Sequence, residues 1–140
     1  MILLDTNVVS ELLRLRPDGG VISWFKLQSE LDLVTTAITV QESFTGAELL
    51  PEASARFRLA AELERTFDMF PVLAYDETCA RYTAVLLARS RAIGRPMSSA
   101  DAQIAGTALR HGATLATRNT KDFEHSAVPL VNPWAADGVP

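Results

Sequence analysis

The sequence predicts a three-layer α/β/α domain, in which helices cover both faces of a central parallel sheet of about five strands. Short strand-like runs alternate with helical patterns along the chain, and such crossover connections bring successive strands back in the same direction. The length of 140 residues is that of one domain able to bury a core. Hydrophobic residues make up 48% and charged residues 21%, which is the balance of a globular protein rather than of a disordered or fibrous one.

The predicted strands are short and rich in apolar or β-branched residues. The first, ILLD, is too brief for a helix and has the character of a strand buried on both faces. The five predicted strands are residues 2–5, 32–38, 71–75, 113–117 and 128–132.

Helical patterns fill the intervals between the strands, and punctuating residues suggest where they begin and end. Thr6 or Asn7 is available to cap the first helix, Asp76 to cap the long fifth one, and Gly112 to end the sixth. Residues 119–123 are predicted to form a polar turn. The predicted helices are residues 6–13, 21–30, 39–50, 53–67, 76–94 and 98–111.

We see no internal repeat, linker or low-complexity block. Residues 1–134 are therefore predicted to form a single domain, and residues 135–140 a loose tail. Cys79 is the only cysteine, which excludes an internal disulfide or a multi-cysteine zinc site and favours a core position. No leader segment or bilayer-spanning run is apparent, so a cytoplasmic protein without a membrane partner is expected.

Four acids fall where the strands of such a sheet end. Asp5 ends the first strand, Glu42 and Asp101 lie in first turns of helices, and Asp122 follows the fourth strand. Singly, Glu42 and Asp101 are explained by capping boxes with Thr39 and Ser98, and Asp122 by its turn. Asp5 is the hardest to explain structurally, because an acid that ends a buried strand risks desolvating its charge.

In open parallel sheets the functional crevice lies beyond the carboxyl ends of the strands, where these four acids would meet. Converging carboxylates repel one another unless a cation neutralises them, and a site of oxygen ligands alone suits Mg²⁺ or Mn²⁺. The net charge of −4 argues against a polyanion partner unless local basic groups or a bound cation receive it. Phosphodiester hydrolysis assisted by a metal ion is the reaction that fits.

Four segments resemble a known family: MILLDTNVVSEL, AITVQESFTGAELLP, GRPMSSADAQIAGTALRHGATLATRNTKDF and VPLVNPW. They are similar to those of the PIN-domain ribonucleases, most of all to the VapC toxins of type II toxin–antitoxin systems and their FitB-like group. The resemblance implies a PIN fold and Mg²⁺- or Mn²⁺-dependent cleavage of RNA. It also implies a catalytic and metal-binding set at Asp5, Glu42, Asp101 and Asp122, with supporting polar positions at Asn7, Thr117 and Asn119.

Some relatives carry a further acid where this chain has Asn119. We therefore expect one ion held firmly by Asp5 and Asp101, with Glu42 or Asp122 helping through water. The resemblance also implies a VapB-type antitoxin that blocks the site, operator DNA bound only through that antitoxin, and a homodimer.

Basic residues beside the acids have two interpretations. Arg118 and Lys121 flank Asp122 and either contact RNA phosphates or are solvated charges of the turn. A basic run at Arg89, Arg91 and Arg95 is explained more simply as a solvated helix end.

Two alternatives from other classes remain open at this point. Asp5 followed by Thr6 also occurs in haloacid-dehalogenase-like phosphatases, where Asp5 would be a nucleophile. Those enzymes carry a second acid two residues later, where this chain has Asn7. In the other alternative the acids only cap helices, and the protein is a non-catalytic binding module that co-represses an operator.

Overall fold

The computed structural model describes residues 1–135, so the predicted tail lies outside the described residues except for Ala135. Within this range the strands are Ile2–Leu4 (β1), Leu33–Thr36 (β2), Val72–Leu73 (β3), Thr114–Ala116 (β4) and Leu130–Val131 (β5). The helices are Thr6–Leu12 (α1), Gly19–Leu27 (α2), Ala37–Glu48 (α3), Ala53–Phe67 (α4), Glu77–Ala92 (α5), Ser99–His111 (α6) and Thr120–Phe123 (α7), with a 3-10 turn at Glu30–Asp32.

The strands form one parallel sheet in the order β3-β2-β1-β4-β5, which confirms the predicted fold class. From β1 the chain moves outward through β2 to β3, then returns to the other side of β1 for β4 and β5. The direction of winding therefore reverses between β1 and β4. In open α/β sheets the carboxyl ends of two such strands flank a crevice, because the following chain departs to opposite sides.

The central strand β1 is buried on both faces, as its apolar sequence indicates. Leu3 packs in a core cluster with Ile104 of α6 and Phe123 of α7, whereas Leu4 packs in a second cluster with Val8 of α1. Successive side chains of a strand point to opposite faces, so two neighbouring leucines serve two helical layers. In the described residues, no helix has the length and apolar character that crossing a bilayer requires.

The predicted caps of two helices are wrong because a different side chain makes the cap, and for α3 this also moves the first residue of the helix. Asp5, rather than Thr6 or Asn7, caps α1. Thr36 caps α3 by accepting a hydrogen bond from the Thr39 N–H (3.0 Å), so α3 begins at Ala37 and Thr39 is not its cap. The predicted turn at 119–123 contains the short helix α7.

Helix α2 also begins two residues earlier than predicted. Asp18 accepts hydrogen bonds from the Gly20 and Val21 N–H groups (2.8 and 3.2 Å), which draws both glycines into the first turn. Other boundary signals are confirmed: Asp76 caps α5, and Gly112, with a φ of 61°, ends α6 in the left-handed conformation that glycine adopts without strain.

Helices α5 and α6 pack closely because Gly106 presents no side chain to α5. A Cβ at this position would lie 3.0 Å from the Cys79 carbonyl oxygen and would overlap the Thr83 hydroxyl. Thr83 is fixed there, since its hydroxyl donates to the Cys79 carbonyl oxygen at 2.9 Å. Gly46 in α3, by contrast, has open space around it, and a Cβ added there would meet nothing within 4 Å.

We expect Gly106→Ala to lower the free energy of unfolding by about 1–3 kcal/mol, the usual cost of overpacking a core. Gly46→Ala is the matched control. It should raise that free energy by about 0.4–1 kcal/mol, because alanine restricts the unfolded chain. Urea titration followed by circular dichroism measures both, and equal effects at the two positions would contradict this account of the α5–α6 contact.

Candidate active site

The crevice at the winding reversal is built around Asp5, the first residue after β1. Its backbone N–H donates to the Ala116 carbonyl oxygen (3.0 Å), which continues the pairing of β1 with β4 by one residue. Asp5 as a whole is only 4% exposed. The sheet therefore holds this carboxylate at the point where the strands β1 and β4 end.

Three donors converge on the Asp5 carboxylate. The Thr6 N–H donates to Oδ1 (2.8 Å), and the Asn7 amide and Thr117 hydroxyl donate to Oδ2 (3.0 and 2.7 Å). A carboxylate offers about four lone-pair positions. Asp5 is thus oriented by its own helix and by the end of β4, and it retains acceptor capacity on Oδ1.

Asn7 and Thr117 also bind the segment that follows β4. The Asn7 side-chain oxygen accepts from the Arg118 N–H (3.2 Å), and the Thr117 hydroxyl oxygen accepts from the Asn119 N–H (3.1 Å). Both residues therefore lie between Asp5 and residues 118–119. Asn119 makes this contact with its backbone N–H. The residue also lines an open groove next to Asp5.

Glu42 reaches the crevice from α3. This helix follows β2, which lies on the opposite side of β1 from β4. Its Oε1 accepts a hydrogen bond from the Thr6 hydroxyl at 2.7 Å. The sequence interpretation of Thr6 as a possible cap missed this role. Thr6 and Ser10 lie one turn apart on α1, and both line the open groove next to Asp5. This helical spacing was visible in the sequence.

Asp101 projects from the first turn of α6, where the Ser98 hydroxyl accepts from its N–H at 3.1 Å. With Asp5 and Glu42 it lines an open groove of about 520 Å³. Asp101 also lines a neighbouring groove together with Asp122. The structure thus brings Asp5, Glu42 and Asp101 to one groove and places Asp122 on the far side of Asp101.

Burial and neighbouring negative charge act on two of these acids. Burial raises the pKa of Asp5, and Asp101 and Glu42 raise it further, against the lowering effect of the Thr117 and Thr6 hydrogen bonds. Burial also raises the pKa of Asp101, the Ser98 hydroxyl lowers it, and the carboxylates of Asp122 and Glu42 raise it. The fold by itself therefore disfavours the negative charge of both Asp5 and Asp101.

The donor set fits a hard divalent cation that keeps much of its water. The groove offers carboxylate, hydroxyl and amide oxygens, which are the ligands that Mg²⁺ and Mn²⁺ prefer. In the part of the chain that the structure describes, no three His, Cys, Asp or Glu side chains stand close enough together to hold a metal ion between them. An ion here would be held by few protein ligands, with water or a phosphate oxygen completing its shell.

A cation and an aromatic ring form another wall of the groove. The Arg118 guanidinium lies over the ring of Trp134, 5.4 Å from its centre, and both residues line the groove. Trp134 is therefore part of the wall of the site. Lys121 instead lines the neighbouring groove.

Two further residues near α1, Glu11 and Arg14, line the groove, and Glu11 was not singled out from the sequence. Glu11 is 6% exposed and accepts from the Asp18 N–H (2.7 Å) and the Arg14 guanidinium (3.3 Å). It therefore fixes the connection between α1 and α2. Positions 7 and 11 are one turn apart on α1, and this spacing is the signal that could have identified Glu11 from the sequence.

Comparison with known proteins gives a consistent picture. The family model of the PIN domain matches residues 2–128. The chain is 43% identical to the plasmid stability protein StbB of Pseudomonas syringae pv. tomato, with 97% of this chain and 100% of that protein covered. It is 37% identical to the VapC ribonuclease Y4jK of Sinorhizobium fredii, with 96% and 98% covered.

Among solved structures, that of FitAcB from Neisseria gonorrhoeae superposes with a TM-score of 0.88 at 37% identity. The match covers 96% of this chain and 99% of that chain.

The raised pKa of Asp101 predicts a dependence of stability on pH and on metal. The folded state holds this proton more tightly than the unfolded chain, so the free energy of unfolding falls as pH rises above 3.8 and through the raised pKa. We expect Asp101→Asn to raise the Tm of the metal-free protein at pH 7. Mg²⁺ at about 100 times its Kd should stabilise the native protein by about 2.7 kcal/mol, and the variant much less.

Differential scanning fluorimetry at pH 5 and pH 7, with and without Mg²⁺, measures these shifts. Asp32→Asn is the control, because Asp32 is exposed and precedes β2 at the opposite end of the sheet. If the two variants respond alike to pH and Mg²⁺, the charge account of the groove is wrong.

Proposed function

Since this chain belongs to the PIN-domain family, we propose that it is a Mg²⁺- or Mn²⁺-dependent endoribonuclease and the toxin of a VapBC-type toxin–antitoxin system. The observation that carries the proposal is the buried carboxylate of Asp5 at the winding reversal, in one open groove with Glu42 and Asp101. The relative named a VapC ribonuclease supports the RNA substrate.

Asp5 and Asp101 would hold the metal ion, with Glu42 or Asp122 assisting through water. When bound, the ion supplies a Lewis acid for the phosphoryl oxygen and a water of lowered pKa as nucleophile. Repulsion between the carboxylates supports this assignment, because a dication relieves the unfavourable charge that burial and crowding create.

The other groove residues position these ligands. Asn7 and Thr117 fix the rotation of the Asp5 carboxylate, and Thr6 fixes that of Glu42. Arg118 lines the same groove and supplies a positive charge for a phosphate of the RNA strand. The chain thus attracts a polyanion locally despite its net charge of −4.

The partners that we propose are a VapB-type antitoxin, a second copy of this chain and, through the antitoxin only, operator DNA. They rest on the family relationship. A cytoplasmic location is part of the same proposal, because the proposed substrate is cellular RNA.

Purified protein freed of antitoxin should cleave RNA with Mg²⁺ or Mn²⁺ and should lose that activity in EDTA. Asp5→Asn and Asp101→Asn should remove cleavage, because each deletes a metal-binding charge.

Asn7→Ala should lower kcat/KM by about 10–100-fold, the usual cost of losing a residue that orients a metal ligand. Cleavage of a labelled RNA on denaturing gels measures each effect.

Asp32→Asn, purified in parallel, should cleave as the native protein does, whereas a contaminating nuclease would also give cleavage in the Asp5→Asn and Asp101→Asn preparations. Circular dichroism checks that the inactive variants are folded. Normal cleavage by folded Asp5→Asn and Asp101→Asn would reject this site, and a stable phosphoryl group on Asp5 would instead support the phosphatase alternative.

A further inference from the structure

A second groove of about 640 Å³ adjoins the acidic one and has a different character. It lies between the carboxyl end of α5, the loop that leads to α6, and α7. Its walls combine the cations Arg89 and Lys121 with the apolar side chains of Ile93 and Met97. Ile93 is 52% exposed and so contributes accessible apolar surface to this wall.

The two grooves share one wall. Asp101 lines both, and Asp122 lines the second groove only. The two grooves therefore meet at Asp101, next to the carboxylates of the first.

The cations of this groove are available to a ligand to different degrees. Arg95 donates to the Glu124 carboxylate at 2.6 Å, and this hydrogen bond and charge hold the pKa of Glu124 below its usual value. Among the described residues, neither Arg89 nor Lys121 has an ion-pair partner. These two side chains can bind a phosphate without first breaking an existing ion pair.

The wall of the groove is also held in place before any ligand arrives. Ser90 is 5% exposed; its carbonyl oxygen accepts from the Arg95 N–H (2.9 Å) and its hydroxyl oxygen from the Met97 N–H (3.1 Å). Gly94 makes the intervening turn with a φ of 70°, where other residues would be strained. A pre-formed wall lowers the entropic cost of binding.

We propose that this second groove binds the nucleotides of a single-stranded RNA that flank the scissile bond. Arg89 and Lys121 contact phosphates, and Ile93 with Met97 receives the face of a base. This inference rests on the proposed function, since RNA occupies the first groove only if the chain is a ribonuclease. The combination of unpaired cations with accessible apolar surface favours a nucleotide strand, which presents charge and an apolar ring face in every repeat.

Binding of a fluorescent single-stranded RNA to the Asp5→Asn protein tests the groove without cleavage. Arg89→Ala should weaken binding and reduce the slope of log K against log salt by about 0.7, the value for one lost phosphate contact. Arg91→Ala is the matched control: Arg91 is exposed on the same helix but does not line the groove, so affinity and slope should not change. Ile93→Ser should weaken binding and leave the slope unchanged.

The length of the RNA provides a second readout. The native groove should favour an oligomer of about 12 nucleotides over one of about 4, and Arg89→Ala should lose part of that preference. Equal affinity and slope for Arg89→Ala and Arg91→Ala would overturn the inference whether or not the native protein cleaves RNA. So would an effect of Arg89→Ala on binding of poly-glutamate but not of RNA.

Failure of the proposed function has a different signature, namely native protein that does not cleave RNA in Mg²⁺.

Discussion

The carboxylate of Asp5 stands where the chain leaves the central strand, and three hydrogen-bond donors hold it there. One donor is the N–H that follows it, one is the side chain of Asn7, and one is Thr117 at the end of the neighbouring strand. Because the residue both caps α1 and lies between two parallel strands, its position follows from the sheet and the helix together. The remainder of the site is arranged around this fixed group.

This arrangement places negative charges where the metal-free fold disfavours them. Burial raises the pKa of Asp5 and Asp101, and hydrogen bonds offset only part of that effect. A fold selected for stability alone would place an uncharged residue at either position. The unfavourable charge is understandable if a cation is normally bound, because metal binding then stabilises the folded state.

The two grooves divide the surface by chemistry. The first presents carboxylates and the Arg118–Trp134 pair, whereas the second adds the cations Arg89 and Lys121 and apolar side chains to the carboxylates of Asp101 and Asp122. Asp101 belongs to both. A chain with a net charge of −4 can in this way present unpaired cations beside its acidic centre, because the position of a charge on the surface matters more than the sum of charges.

The sequence by itself determined the layered parallel fold, because the alternation of short apolar runs with helical periods depends only on local composition. It also indicated where α5 begins and where α6 ends. Asp76 caps the first turn of α5 and Gly112 ends α6, and both effects depend only on neighbouring residues. It did not identify the caps of α1 and α3, since Asp5 and Thr36 compete there with Thr6, Asn7 and Thr39, which are equally suitable residue types.

Only the tertiary structure decided which acids share a groove. The strand order brings β1 beside β4 and so places Thr117 on Asp5, although 112 positions separate them in the chain. The same order leaves Asp122 on the far side of Asp101, in the second groove. Distances between residues far apart in sequence depend on how the sheet is wound, and local patterns carry no information on that order.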